Sequence, residues 1–394
     1  MVECWTAGVG NGERVIGSGR RATVAGARLL PVLFAVLSAC SPADAPIRIG
    51  LAGPLSDSAG ATMKRAADVA VDQINLSGGV GGRRLELVAL DDFNDPDSAV
   101  AVARALEKAG VVAVIGHVSS AATLAAAPVY NGASTPVVQI SPSASGAAVT
   151  MAGEYTFRTC PSDLRQGEAL ARFVTERLGF QRGTILYLNS EYGRALRASF
   201  AREFSRFGGR IDGIDPYLGS TPELGPYVQR LARQKTSQFV LLGGQADDAV
   251  VALRLARALG VSVPFLGGDA LAGVEAAGPL AEGTYVSRGY LPNFYTPKNR
   301  DFLLAYLRKY PDASPPNQPA AATYDILMML RDVIAAVGPS RPRIRDRVAD
   351  IGRGAPPFDG VTGEIAFDEH GDVPRQRVVI GIVEDGRVRA LEGL

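Results

Sequence analysis

Residues 47–90 decide the fold, and they read IRIGLAGPLSDSAGATMKRAADVAVDQINLSGGVGGRRLELVAL. The apolar segment 47–52 is typical of a buried strand, and residues 60–76 repeat apolar side chains at helical spacing. The glycine-rich segment 78–82 ends this helix, and residues 84–90 begin a second strand. A strand, a helix and a further strand in this order predict the start of a parallel sheet that is covered by helices.

The same alternation continues along the rest of the chain. The first series goes on with helix 97–109, strand 111–115, helix 121–132 and strand 137–140. A second series comprises helices 163–179, 191–206, 224–234 and 247–259, and strands 184–188, 211–215, 238–242, 263–266 and 283–287. The chain ends with helices 298–309 and 318–337, the Pro- and Arg-rich segment 339–345, and strands 363–367 and 377–383. This pattern predicts the α/β class, with two doubly wound lobes built on parallel sheets.

The N-terminal segment has the pattern of an export signal. Arginines precede an apolar run at 29–37, which is shorter than the about 20 residues that span a bilayer. The run leads into Leu-Ser-Ala-Cys40, which is similar to the lipobox of bacterial lipoproteins, where the cysteine is lipidated. We predict a lipoprotein signal peptide over 1–39, lipidation at Cys40 and a tether over 40–46. A plain signal peptide that contains a cysteine is the alternative.

The composition argues against several functional classes. The 394 residues include 41 Lys and Arg and 40 Asp and Glu, so the net charge of +1 gives no basic footprint for nucleic acid. The length predicts two or three domains. Two histidines and three cysteines are too few for a typical zinc site, and we expect no metal or cofactor. Only Cys160 follows Cys40, so we expect no intramolecular disulfide and a buried Cys160.

Polar residues follow the predicted strands at their carboxyl ends, where ligands bind in open α/β sheets. These segments are 116–120, 141–145, 189–193, 243–247 and 267–269. Hydroxyl and free N–H groups at the start of a helix favour a carboxylate, and Asp269 is suited to pair with an ammonium. The alternative is that Ser120, Ser145 and Asp269 cap helices or turns. Their joint placement in two lobes favours a ligand cleft.

No pattern of a hydrolase or of a nucleotide-binding loop accompanies these residues. The chain has no Gly-x-Ser-x-Gly elbow and no Walker-type Gly-Lys-Ser/Thr. Neither His117 nor His370 has an evident nucleophile and acid beside it, so we predict a structural role for His117 and a turn at His370. We therefore expect that the chain is not an enzyme.

Short segments in a specific order make the chain similar to the periplasmic Leu/Ile/Val-binding protein family, the substrate-binding subunits of branched-chain amino acid ABC importers. The resemblance covers residues 47–390 and is carried by Ile49 to Ser56, Gln73-Ile74-Asn75 with Gly78-Gly79, Asp91-Asp92 with Asp95-Pro96, Val114 to His117 with Ser119-Ser120, Ile140-Ser141-Pro142, Tyr192-Gly193, and Thr362-Gly363 with Phe367-Asp368. It implies a type I periplasmic binding protein, whose two lobes are joined by a three-crossing hinge. Lobe 1 would comprise 46–162 plus 294–366, and lobe 2 would comprise 163–293 plus 367–394.

The resemblance also implies roles for individual residues. Ser120 and Ser145 would hold the α-carboxylate of an amino acid, and Ser143 would contribute backbone atoms. Asp269 stands where the family has an acidic residue for the ammonium. Tyr192 and Asp163 fall at second-lobe positions that close on the ligand.

The sequence departs from the family around the ligand side chain. Ala59 is the nearest equivalent of an aromatic residue that follows the first strand in the family, and Gln245 and Ala246 replace tyrosines. The two positions of the family disulfide fall at Asn94 and Ser119. These changes remove aromatic walls, so a pocket for a branched aliphatic side chain is not evident and a bulkier ligand would fit.

We therefore expect a periplasmic, lipid-anchored, monomeric solute-binding subunit of an ABC importer. It would capture an amino acid or a related small molecule by hinge closure and present it to a permease and its ATPase, with no nucleic acid partner. Two alternatives stay open: a binding protein that reports its ligand to a receptor or regulator, and a carrier of a larger apolar or lipid-like ligand.

Overall fold

The strands form two open sheets in the computed structural model, which describes residues 45–219 and 224–391 apart from the side chains of Ser58 and Ala59. The first sheet is parallel throughout and has the order β2-β1-β3-β4-β5. Its strands are β1 (Ile47–Gly53), β2 (Leu85–Asp91), β3 (Ala113–Ile115), β4 (Val138–Ser141) and β5 (Thr156–Arg158). The predicted signal peptide 1–39, Cys40 and the side chain of Ala59 lie outside the described residues.

The second sheet has seven strands in the order β14-β13-β10-β9-β8-β6-β7. The strands of this half of the chain are β6 (Arg182–Leu188), β7 (Arg210–Tyr217), β8 (Phe239–Gly243), β9 (Phe265–Gly267), β10 (Tyr285–Arg288), β11 (Phe358–Asp359), β12 (Glu364–Ile365), β13 (Val379–Glu384) and β14 (Arg387–Ala390). Strands β6 to β10 are parallel, whereas β13 and β14 extend the sheet in antiparallel pairs. Strands β11 and β12 form a separate antiparallel pair.

Helices cover both faces of each sheet. They are α1 (Ser58–Leu76), α2 (Pro96–Lys108), α3 (Ser120–Gly132), α4 (Asp163–Arg172), α5 (Glu191–Arg206), α6 (Gly225–Gln234), α7 (Ala246–Ala258), α8 (Pro297–Lys309), α9 (Gln318–Val337) and α10 (Arg341–Asp350). No described helix is long and apolar enough to cross a lipid bilayer.

The alternation of side chains along β1 explains the layering of the first lobe. Ile49 and Leu51 pack in the core cluster formed by α1 and α9, whereas Ala52 packs on the other face with α2 and α3. In the second lobe Leu241 packs with α4 and α5, and its neighbour Leu242 packs with α6 and α7. Both faces of each sheet are therefore buried, as the near-continuous apolar strands predict.

The predicted class and the alternation of elements are confirmed, and the differences lie in short or polar elements. The helix predicted at 163–179 is α-helical only to Arg172 and continues as a π-helical turn, Phe173–Arg177. The strand predicted at 363–367 shrinks to the two residues of β12. Helix α10 was not predicted, because it buries only Ile344 and Val348 and so has a weak apolar pattern.

The chain passes between the two lobes three times. Residues 159–162 lead from β5 to α4, residues 289–296 lead from β10 to α8, and residues 366–378 lead from β12 to β13. Helix α8 belongs with the first lobe, because Phe302 packs in one cluster with Ala66 and Val69 of α1. The lobe boundaries given above stay predictions.

Candidate functional site

Two loops of the first sheet meet at its carboxyl edge. The side-chain oxygen of Ser120, at the start of α3, accepts a hydrogen bond from the Gly146 N–H at 2.9 Å. The loop after β4 is fixed by Ser141, whose Oγ accepts from the Ala144 N–H at 2.9 Å. Ser145 is buried and Ser143 is half-buried in this loop. The structure thus brings the three predicted serines together, although Ser120 already bonds its own chain.

His117 is buried next to these loops and is hydrogen-bonded through its ring and its carbonyl group. Its Nδ1 lies 2.6 Å from Asp92 Oδ2, its Nε2 lies 3.3 Å from the Tyr130 hydroxyl oxygen, and all three residues are buried. The His117 carbonyl accepts hydrogen bonds from Ser141 Oγ at 2.6 Å and Thr123 Oγ1 at 3.1 Å. Both ring nitrogens are engaged, which agrees with the structural role that the sequence predicts.

Asp163 faces the same loop from the second lobe. It is the first residue of α4, and its N–H donates to the Ser145 carbonyl at 2.8 Å. Both carboxylate oxygens are buried and accept no hydrogen bond of ordinary geometry. Burial raises the pKa of Asp163 well above its ordinary value, the Asp269 charge raises it further, and the Ser145 side chain opposes the rise.

Asp269 follows β9 at the carboxyl edge of the second sheet. Its N–H donates to Gln166 Oε1 at 3.0 Å, and the same oxygen accepts from Ser287 Oγ at 2.7 Å. Oδ2 of Asp269 is buried without a hydrogen-bond partner. Burial raises the pKa of Asp269 to about 6, against the opposing effects of Gln166 and of the Arg288 charge.

Arg288 and Tyr192 complete this cluster. Nη1 of Arg288 donates to the carbonyls of Gly268 at 3.2 Å and Asp269 at 3.3 Å, while Nη2 is buried and makes no hydrogen bond. The Tyr192 hydroxyl is likewise buried and unpartnered, and it lies so close to Gly268 that a Cβ at this position would clash with it. Burial raises the pKa of Tyr192, and the charges of Asp269 and Asp163 raise it further.

We define the acidic cluster as Asp163, Asp269, Tyr192 and Arg288. It holds two carboxyl groups, one guanidinium and one hydroxyl. Carboxylate oxygens of both aspartates and the Tyr192 hydroxyl are buried without a hydrogen-bond partner, whereas Arg288 Nη2 lies 4.0 Å from Glu275 Oε2. Buried polar groups are expensive unless they find partners, so this arrangement favours a ligand that brings hydrogen-bond donors and positive charge. The helix start at Ser120, on the first lobe, favours a negative group on the same ligand.

Two other predicted residues have different settings. Gln245 is exposed at the N-cap of α7, where its N–H donates to Asp248 Oδ2 at 2.9 Å and the two residues form a capping box. Cys160 is a buried free cysteine, and burial raises the pKa of its thiol well above the ordinary value. Such a thiol is unsuited to act as a nucleophile, in agreement with the core role predicted for it.

The sequence reasoning missed Gln166 and Arg288. Gln166 lies one helical turn after Asp163, so a search of that helix face for polar residues would have found it. Arg288 directly follows the strand predicted at 283–287, at the same carboxyl edge as Asp269. Among the described residues, no group of three or more His, Cys, Asp or Glu is arranged to hold a metal ion.

Two parallel-sheet lobes joined by three crossings, with open polar groups at their facing edges, define a class of proteins that hold a solute between two lobes. A family model for periplasmic binding proteins matches residues 46–387. The chain therefore belongs to the periplasmic binding protein family.

Relatives and solved structures agree with this assignment. The chain is 30% identical over 362 residues to the leucine-, isoleucine-, valine-, threonine- and alanine-binding protein of Pseudomonas aeruginosa, covering 88% of this chain and 94% of the relative. It is 30% identical over 315 residues to the Leu/Ile/Val-binding protein of Escherichia coli, covering 78% and 82% of the two chains. The structure is similar to that of an ABC transporter substrate-binding protein from Desulfitobacterium hafniense in complex with Leu, with a TM-score of 0.76, 30% identity and coverage of 88% and 100%.

Proposed function

We propose that this chain is the solute-binding subunit of an ABC importer, and that it captures an amino acid between its lobes and releases it chemically unaltered. The observation that carries the proposal is the acidic cluster, whose open carboxylate oxygens suit an ammonium group. The names of the relatives from Pseudomonas aeruginosa and Escherichia coli support an amino acid as the solute.

The two lobes would hold opposite ends of the amino acid. Asp269 and Asp163 would bind the α-ammonium, and the Tyr192 hydroxyl oxygen would accept a further hydrogen bond from it. The N-terminus of α3 with Ser120, and the loop of Ser143 and Ser145, would bind the α-carboxylate. Because each lobe supplies one half of the contacts, the ligand would favour the closed arrangement and drive hinge closure.

The part of the pocket that contacts the ligand side chain would lack the aromatic residues of the family. Gln245 and Ala246 replace the tyrosines that the family resemblance implies, and Gln245 is exposed. We therefore propose a selectivity that is broader than that of a dedicated leucine site, with leucine bound more weakly than a larger or more polar amino acid. Tight and selective leucine binding would contradict this part of the proposal.

A screen of the purified protein tests the function directly. We expect at least one of the twenty standard amino acids to raise the melting temperature, because a compound that binds only the folded state stabilises it, and calorimetry should then give a 1:1 stoichiometry. Fatty acids and aromatic acids serve as further arms. Stabilisation by fatty acids alone would establish the lipid-carrier alternative instead, and binding without any loss of cellular uptake on deletion of the gene would favour the sensing alternative.

We also propose that Cys40 anchors the protein to a membrane in the periplasm, next to its permease and ATPase partners. The support is the lipobox-like Leu-Ser-Ala-Cys40 after the apolar run. The variant Cys40→Ser should stop incorporation of labelled fatty acid, whereas Cys160→Ser should leave it unchanged. Labelling that persists in Cys40→Ser would refute the anchor.

A further inference from the structure

Arg158 is a buried charge at a junction of the fold that the proposed binding mode does not use. It is the last residue of β5 and the largest fully buried side chain of the described protein, with 1% of its surface exposed. The next residues, 159–162, form the first connection between the lobes. A buried guanidinium needs several acceptors, so its partners reveal what it organises.

One half of the guanidinium holds the binding loop. Nη1 donates to three consecutive carbonyls, those of Ala144 at 3.4 Å, Ser145 at 3.0 Å and Gly146 at 2.8 Å. The Ser145 carbonyl also accepts from the Asp163 N–H, and the Gly146 N–H donates to Ser120. The backbone on which the serine hydroxyls sit is therefore fixed by Arg158 from behind.

The other half holds the third connection. Nη2 donates to Asp372 Oδ2 at 2.6 Å and to Thr150 Oγ1 at 2.7 Å, and Thr150 Oγ1 in turn donates to Asp372 Oδ2 at 2.7 Å. The Arg158 N–H donates to the Gly371 carbonyl at 3.1 Å. Asp372 lies 214 residues along the chain from Arg158, in the segment that returns to the second lobe.

We propose that Arg158 is a positioning residue that fixes the binding loop 143–146 to the third connection, so that the shape of the loop and the state of the hinge change together. The proposal rests on the proposed function for the statement that this loop receives the ligand. The planar fork of arginine is essential, because it directs separate N–H groups to the loop and to Asp372, whereas lysine offers one point charge.

Hydrogen–deuterium exchange of the full chain without ligand tests the contact itself. In Arg158→Lys we expect the amides of residues 143–147 to exchange about tenfold faster, because the loop loses carbonyl partners. In Asp372→Asn, which removes a charge from the other side of the contact, the same amides should exchange faster by about threefold. If Arg158→Lys does not fold, Asp372→Asn decides the test alone, because Asp372 is partly exposed, with 19% of its side chain accessible.

The second measurement is ligand affinity. The probe is the standard amino acid that raises the melting temperature of the unsubstituted protein most. We expect Arg158→Lys to weaken its affinity about tenfold and Asp372→Asn to weaken it about threefold. The matched control is Arg341→Lys, because Arg341 also donates to three carbonyls, those of Val111, Thr135 and Glu107, but from α10. This control should lower the melting temperature and leave both the affinity and the exchange of 143–147 unchanged.

The outcomes separate the two proposals. Unchanged exchange at 143–147 in both variants, or an equal increase in Arg341→Lys, would overturn the role of Arg158. Faster exchange at this loop in a protein that binds no amino acid would establish the contact and overturn the proposed function.

Discussion

Asp325 and Asp269 are two buried aspartates whose pKa burial raises to about 6, yet their surroundings differ. Asp325, on α9, accepts hydrogen bonds from the Val361 N–H at 2.7 Å, the Thr362 N–H at 2.8 Å and Thr362 Oγ1 at 2.7 Å. Asp269 leaves Oδ2 without a partner, and neighbouring Asp163 accepts no hydrogen bond of ordinary geometry, although the Ser145 side chain is near enough to lower its pKa. The Asp325 carboxylate stabilises the turn between β11 and β12, whereas the Asp269 carboxylate can still accept a hydrogen bond from a group outside the chain.

This difference shows which property separates a structural buried aspartate from one that is available to a ligand. Burial and a raised pKa are the same at both positions and do not distinguish structure from function. The distinguishing feature is whether the chain itself supplies the donors, because an unsatisfied buried carboxylate lowers stability unless a ligand completes it.

The largest effect is expected for Asp325→Ala, on stability. The substitution leaves three buried donors without an acceptor, so the free energy of unfolding should fall by about 4 kcal/mol. Denaturation by urea, followed by circular dichroism, measures this. The control Asp332→Ala, at an exposed position of the same helix, should change it by less than about 0.5 kcal/mol. A loss below about 1 kcal/mol in Asp325→Ala would show that the turn does not depend on this carboxylate.

The next effect is expected for Asp269→Ala, on binding. Amino acid affinity should fall about 100-fold, because the ammonium loses a charged acceptor, while the free energy of unfolding should not decrease. Calorimetry and urea denaturation of the same preparation measure the two quantities. Unchanged affinity would remove Asp269 from the ligand site, and a large loss of stability would make it equivalent to Asp325.

The pH dependence of binding gives a smaller effect. The raised pKa of Asp269, about 6, means that its carboxyl group becomes protonated as pH falls through 6, and a neutral acid attracts an ammonium less. Affinity should therefore be highest above pH 6 and about tenfold lower at pH 5, if one proton is taken up. Asp163, Tyr192 and Arg288 face the same group, so calorimetry of Asp269→Asn at both pH values is the control. A profile that is equally steep in this variant would assign the proton to another group.

The smallest effect is expected for Asp269→Asn on stability without ligand. Because the pKa of Asp269 is raised in the folded state, the folded protein binds more protons than the unfolded protein between pH 4 and 6. The stability that this carboxyl group contributes is therefore full below pH 4 and is lost as pH rises to 6. At pH 7 the neutral amide should raise the free energy of unfolding by about 1 kcal/mol. A decrease instead would show that the ionised form is already stabilised by the chain.

The periodicity of apolar residues predicted the long helices and strands, and it missed short elements that have no repeating pattern. Strand β1 and helices α1 and α9 have strong apolar patterns and were placed within two residues of their ends. Strand β5, which ends at Arg158, has three residues and no pattern, so it was not predicted.

The candidate site shows the same division. Tyr192 and Asp269 were found from their positions after predicted strands and from the family resemblance, and Asp163 was found from the resemblance alone. The structure brings the three into one cluster. Arg158 was not found, because its partner Asp372 is 214 residues away and no local pattern joins the two. Gln245 was included by position alone, and only the structure shows that it forms a capping box with Asp248 at the start of α7.

The hydrogen bond from the Asp163 N–H to the Ser145 carbonyl is made entirely by main-chain atoms. Replacing either side chain leaves this bond in place, because neither side chain takes part in it. Variants with other side chains at 145 and 163 would thus keep this main-chain link between the loop and α4, so the polarity of this part of the molecule can change while the link stays.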